Sequence, residues 1–316
     1  MVPRAAARGR PARGLQPGPW GALHFDGLPR LGESSFGTVR THSIRNAPPA
    51  PGRFPIVVLE PGMGLAAPQL TTFAEDIASH GYLVVGVTPT YSANMTVLRG
   101  QVVGSTEAGN PETFTPAAGN RLIGTWAADA RFAADRVAKL NGPLAGHVDA
   151  TRTAYVGHSF GGATAIQACA RDRRCRGAAD LDGMPFGAVV HRGLRAPLLV
   201  LGSDGSCVTG SCHPVDAESR RIRTAARALL AGSSGPTWCY SIRGTAHFNF
   251  TDYAAYYLAA PLRHVVPLGD IDGDRGLLVA NAYLTAFLDH VVRHEREPLL
   301  TGPSDRYPEV RTQRSP

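Results

Sequence analysis

The chain has 316 residues, of which 43% are hydrophobic and 18% charged, and carries a net charge of +7. This composition suits a folded chain able to bury one large α/β core and excludes low-complexity and collagen-like chains. No apolar run approaches the roughly 20 residues of a membrane helix. Much of the positive charge comes from Arg4, Arg8, Arg10 and Arg13, and no basic patch with interleaved aromatics follows, so nucleic acid is not an expected partner.

In chain order, residues 1–20 read as a disordered basic tail and 21–300 as a single domain, with 301–316 as a C-terminal tail. Alternation within 21–46, clearest at 37–44, predicts early antiparallel strands. The apolar run at 54–60 predicts a buried strand. A helix is expected at 69–80, ended by Gly81, and a second strand at 82–87. Residues 91–119 are polar and too long for an ordinary connector, which marks an inserted loop at the rim of a site. A helix follows at 120–140, then strands at 177–181, 197–202 and 237–242, with helices at 216–230 and 277–292. Buried strands alternating with amphipathic helices predict an α/β fold, a mostly parallel central sheet with helices on both faces.

The most specific segment is Gly157-His158-Ser159-Phe160-Gly161-Gly162, which follows the apolar run Ala154-Tyr155-Val156 and precedes a run of small residues suited to a helix. Gly-x-Ser-x-Gly between strand and helix is the sequence form of a nucleophile elbow. Side chains at 157 and 161 would collide with the adjoining strand and helix. The Ser159 hydroxyl is presented at a helix N-terminus, where free N–H groups favour negative charge.

A serine hydroxyl needs a base, and the base needs an acid to hold it. In this arrangement the order is Ser, then Asp or Glu, then His, each after a strand. Of the eleven histidines, His247 alone stands directly after the last predicted strand; His264, His290 and His294 lie in or near the closing segment and read as surface residues. His158, at the elbow, is expected to point away from the nucleophile and to be structural. Asp182 and Asp204 each follow a strand beyond the elbow, and the pattern does not choose between them. The oxyanion requires two N–H donors; Phe160 supplies one, and Met63 in Pro61-Gly62-Met63-Gly64 is the candidate for the other. Asp270-Ile271-Asp272-Gly273-Asp274 resembles the start of a calcium loop, but Asn281 stands where a bidentate Glu is needed, and helix capping is the better reading. No metal or cofactor is expected.

Cysteines fall in local pairs, Cys169 with Cys175 and Cys207 with Cys212, plus Cys239. Two disulfides would favour an oxidising, extracellular setting; the lack of an apolar segment near Met1 favours a cytoplasmic one. A zinc site at Cys207, Cys212 and His213 lacks a fourth ligand. Lys139 is the single lysine among 32 basic residues, a bias typical of GC-rich bacterial coding. The oligomeric state is not readable.

Several segments together resemble the platelet-activating factor acetylhydrolases of the plasma or type II class. They are Val58-Leu59-Glu60-Pro61-Gly62-Met63-Gly64, Ala78-Ser79-His80-Gly81-Tyr82, the elbow through Thr164, Leu181-Asp182-Gly183-Met184-Pro185-Phe186, Arg243-Gly244-Thr245-Ala246-His247-Phe248-Asn249-Phe250 and Gly269-Asp270-Ile271-Asp272. The resemblance implies an α/β-hydrolase fold, no metal, and a triad of Ser159, Asp182 and His247, with Met63 and Phe160 as oxyanion donors. It further implies hydrolysis of short or oxidised acyl esters, including sn-2 esters of phospholipids, with transient contact to a lipid surface. A broad carboxylesterase or cutinase-like polyesterase on the same triad is the alternative, and a non-catalytic binding protein is the remaining one. Residues 91–119 and 203–215 depart from the animal enzymes of the class.

Overall fold

A computed structural model describes residues 1–3, 19–20, 41–256 and 266–313. The expected tail at 1–20 and strands at 21–46 therefore lie largely outside the described residues. Strand β1 (Phe54–Glu60) is an interior strand, second from one edge of a seven-stranded sheet. Its residues Ile56, Val57, Val58 and Leu59 are all buried, because helices cover both faces of the sheet. Side chains alternate across a strand: Val57 and Leu59 join one core with Phe73, Leu284 and Phe287, while Ile56 and Val58 join the other with Ala130, Ala134 and Ile166.

Helix α1 (Thr71–Ser79) follows a 3-10 turn at Ala67–Leu70, and leads to β2 (Leu83–Gly86), which pairs parallel to β1. The 91–119 insertion contains a small hairpin, β3 (Thr96–Leu98) and β4 (Gln101–Val103), turned by Arg99 and Gly100 at positive φ. A bridge between Gly64 and Ala93 ties this insertion to the loop after β1. Helix α2 (Pro116–Val137) starts four residues before the expected helix. Pro116 occupies its first turn, and the Thr115 hydroxyl accepts from the Ala118 N–H.

The sheet continues from β1 through β5 (Val148–His158), β6 (Cys175–Leu181), β7 (Leu198–Gly202) and β8 (Thr237–Ile242), each parallel to the one before it in the sheet. Between them run α3 (Phe160–Cys169), the single turn α4 (Val189–Arg192) and α5 (Ala217–Gly232). After β8 come α6 (Tyr253–Tyr256) and α7 (Gly273–Arg293). Asp272 caps α7 by accepting from the Arg275 N–H at 2.9 Å, which moves the helix start four residues ahead of the expected 277. Disulfides join Cys169 to Cys175 and Cys207 to Cys212, so the latter two offer no thiolates to zinc. Cys239 is buried in β8. Among the described residues no helix is long and apolar enough to cross a membrane.

The C-terminal segment corrects one expectation. The described part of the expected tail, 301–313, is built into the domain: β9 (Val310–Thr312) pairs antiparallel with β8 at the sheet edge. Tyr307 is buried with its ring 6.0 Å from that of Tyr283, and Glu309 binds Arg275 through both carboxylate oxygens at 2.8 and 2.9 Å. The apolar residues that anchor this segment are too few to show periodicity, so polarity alone misled the reading. Tyr307→Ala is expected to cost about 3 kcal/mol, the scale of truncating a buried aromatic, seen as a lower urea midpoint. An unchanged midpoint would make the segment dispensable.

Candidate active site

Residues able to do chemistry gather where the parallel strands end, the position at which open α/β sheets bind ligands. The elbow begins where β5 stops at His158. Ser159 has φ +56° and ψ −125°, a strained conformation for a side-chain-bearing residue. The turn is possible because its flanking positions have no side chains. A β-carbon at Gly157 would lie 2.2 Å from the Gly161 carbonyl carbon, and one at Gly161 would lie 2.4 Å from the carbonyl oxygens of Glu60 and Pro61. Both contacts are with backbone, so nothing can move aside.

Across from Ser159 stands His247, which opens a 3-10 turn (His247–Phe250) shortly after β8. Its Nε2 is 3.0 Å from Ser159 Oγ, and its Nδ1 is 2.8 Å from Asp182 Oδ2. An ionised carboxylate only accepts, so Nδ1 carries the hydrogen and Nε2 presents its lone pair to the serine hydroxyl. Asp182 follows β6 with φ +58°. Its carboxylate also accepts from the Ser203 N–H at 2.8 Å and the Ser203 hydroxyl at 3.0 Å. Burial alone would push this carboxyl up; the His247 hydrogen bond and charge, with the Ser203 N–H, bring it down to about 2.

The other acid is elsewhere. Asp204 Oδ2 accepts from the Gly244 N–H at 2.9 Å, and its Oδ1 lies 3.9 Å from Arg311. It shares the cavity rim with the triad residues but is hydrogen-bonded to the shoulder of the His247 loop. Asp180, two residues before Asp182, accepts from the Gly183 N–H; burial keeps its carboxyl well above the usual range.

A cavity of about 560 Å³ opens at Ser159. It is lined by the apolar cluster of Met63, Phe114, Phe160, Met184 and Phe186 and by the 203–208 loop and the start of α5. The aromatic wall is well packed, with Phe114 edge-on to Phe160 at 5.6 Å and to Phe186 at 5.8 Å, and Trp126 against Phe160 at 4.9 Å. Phe160 opens α3, so its N–H is one of the first-turn donors that lack an intrahelical acceptor. Met63 is half-buried in the loop after β1 and faces the same cavity.

Three contributors escaped the sequence reading. Ser203 binds the acid, and its only signal was its place directly after β7. Asn249 Oδ1 accepts from both the Ala246 and Gly269 N–H groups at 2.8 Å, while Ile271 N–H donates to the Gly244 carbonyl at 3.0 Å. The segments 243–250 and 269–272, read separately from their sequence, are thus one interlocked support for His247. His158 does not stand clear of the chemistry: its ring centroid is 4.6 Å from that of His247.

The depressed Asp182 value has a consequence for stability. A carboxylate whose folded value of about 2 lies below the ordinary 3.8 adds stability that is complete above about pH 4 and is lost as pH falls toward 2. Wild type should therefore exceed Asp182→Asn by an additional amount on the order of 2 kcal/mol at pH 5 relative to pH 2. Urea midpoints of both proteins at these two pH values test this; a gap independent of pH would contradict it.

The site and fold have known counterparts. A family model described as platelet-activating factor acetylhydrolase, isoform II, matches residues 139–298. The platelet-activating factor acetylhydrolase of Cavia porcellus is 25% identical over 301 residues, 84% of this chain and 66% of the relative. A probable 1-alkyl-2-acetylglycerophosphocholine esterase of Arthroderma benhamiae is 27% identical over 269 residues, 81% of this chain and 65% of the relative. The chain thus spans just under two thirds of the length of these curated relatives. A solved ferulic acid esterase from Streptomyces cinnamoneus superimposes with a TM-score of 0.83 at 30% identity, covering 99% of this chain and 87% of that one. The fold is that of the α/β-hydrolases, and the chain belongs to the platelet-activating factor acetylhydrolase isoform II family.

Proposed function

We propose that the chain is a serine carboxylic ester hydrolase that works through an acyl-enzyme. The observation that carries this reading is the unbroken relay from Ser159 Oγ to His247 Nε2 at 3.0 Å and from His247 Nδ1 to Asp182 at 2.8 Å. His247 takes the hydroxyl proton as Ser159 attacks the ester carbonyl. Asp182 stays ionised and stabilises the imidazolium. The Phe160 and Met63 N–H groups hold the oxyanion. His247 then gives its proton to the leaving alcohol, and water releases the acyl group by the same route in reverse. The residues named supply every proton movement, so no metal or cofactor has a part.

The substrate proposed is a short-chain acyl ester, with sn-2 acetyl phospholipids the first candidates, as the names of the relatives suggest. Contact with a lipid surface would fall to the hairpin at 96–103, where Leu98 and Val102 are exposed beside the loop of Met63. A second reading is favoured by the aromatic wall of Phe114, Phe160 and Phe186 and by the likeness to a ferulic acid esterase. It is a broad carboxylesterase or polyesterase that seats an aromatic acyl group.

Initial rates on p-nitrophenyl esters from acetate to palmitate, a short sn-2 phospholipid and methyl ferulate, each with and without EDTA, separate these readings. The first reading expects steep short-chain preference, phospholipid turnover and no effect of EDTA. Turnover of ferulate and medium chains without phospholipid would favour the second. Ser159→Ala should remove nearly all turnover with the fold intact. Asp182→Asn should lower kcat by about 10³–10⁴-fold, the scale of removing a triad acid. If Asp204→Asn does so instead, the acid is misassigned. Failure of a serine-directed organophosphate to label Ser159 would favour a binding protein.

A further inference from the structure

We propose that His158 is a positioning residue, holding the His247 backbone so that the imidazole of His247 stays in register with Ser159; this rests on the ester hydrolase reading. His158 is fully buried and directly precedes Ser159. Its Nε2 lies 3.0 Å from the His247 carbonyl oxygen. A carbonyl can only accept, so Nε2 carries the hydrogen. Nδ1 is then a bare acceptor, and it is buried without a hydrogen-bond partner among the described residues.

That stranded nitrogen argues for function. A side chain kept only to fill space would be apolar and leave nothing unpaired. What histidine supplies here, and a hydrocarbon does not, is the N–H to His247. The ring also abuts the third loop of the site. A β-carbon at Gly62 would lie 3.1 Å from His158 Nδ1 and 3.0 Å from Ser159 Cβ. One side chain therefore touches the elbow, the loop of the base and the loop of Met63. Burial first, then the charge of His247, push its imidazole down to about 3, so it stays neutral beside the imidazolium that forms on His247.

The His247 side chain is about one-third exposed, and Asp182 grips only its ring. The carbonyl contact fixes the other end. Misplacement of about 1 Å in a reacting group costs up to about 10²-fold in rate, so loosening this end should act on kcat.

Glutamine and asparagine discriminate the proposal, because a Gln amide nitrogen reaches the position of Nε2 and an Asn amide reaches only that of Nδ1. Each variant is assayed for kcat and KM on p-nitrophenyl acetate, for the rate of Ser159 phosphonylation by a p-nitrophenyl phosphonate, and for thermal unfolding. His158→Asn should lose about 10–100-fold in kcat and in phosphonylation rate, with KM within about 2-fold and little change in melting. His158→Gln should recover to within a few-fold of wild type. If His158→Asn does not fold, His158→Leu takes its place against His158→Gln. Equal rates for the donor and non-donor variants, or losses that follow the melting temperature, overturn the positioning role. A wild type that the phosphonate does not label overturns the hydrolase reading itself.

Discussion

The structure depends on one close approach of backbone to backbone: the first turn of α3 lies against the ends of β1 and β5 with no room for a β-carbon at Gly157 or Gly161. That contact forces Ser159 into its positive φ and brings the loop after β1 within reach of the nucleophile. Everything else at the site is arranged around a serine that the chain cannot place in any relaxed way. Strain of this kind persists only where surrounding packing fixes it. Here both cores supply that packing, since the residues of β1 and β5 just before the turn are almost entirely buried.

Charge is distributed at the end of β6 by counting donors. Asp180 and Asp182 are near neighbours, both buried, yet they are driven in opposite directions. Asp180 has one backbone donor, too little to offset burial, and its carboxyl is pushed well up. Asp182 has His247 and both donors of Ser203, and is held ionised. Desolvation acts on both; the hydrogen bonds decide the outcome. A single ionised carboxylate behind the imidazole is the state that the proposed chemistry uses.

The framework was legible in sequence because its signals are local. The run at 54–60 and the glycines of the elbow dictate strand and turn within a few residues, and His247 stands out because it comes directly after the strand at 237–242. The acid was not settled by pattern, since Asp182 and Asp204 both follow strands, and their difference lies in partners distant in sequence: His247 and Ser203 for one, Gly244 and Arg311 for the other. The same distance hid β9, whose place depends on pairing with β8 and on Tyr307 meeting Tyr283. It also hid the bridging role of Asn249, which becomes visible only when 269 is brought beside 246. Helix starts were missed where a cap overrode periodicity, as Thr115 and Asp272 did.

The cavity adds an asymmetry that motif reading does not reach. Its apolar lining is assembled from the insertion (Phe114), the elbow (Phe160) and the segment after β6 (Met184, Phe186), whereas its polar lining is the 203–208 loop, pinned by the Cys207–Cys212 disulfide, and the start of α5. An ester bound at Ser159 has two unlike ends, and apolar surface gains most by burying the less polar one. For an ester with an aromatic acyl group, the second reading proposed, that places the acyl group against the aromatic residues and the alcohol toward the polar loop. Of the lining residues, Phe114 comes from the 91–119 segment and the polar loop from 203–215. On the proposed reading, the residues that do the chemistry stand at strand ends that the sheet fixes, while Phe114 and the 203–208 loop line the cavity from segments that the sheet only supports.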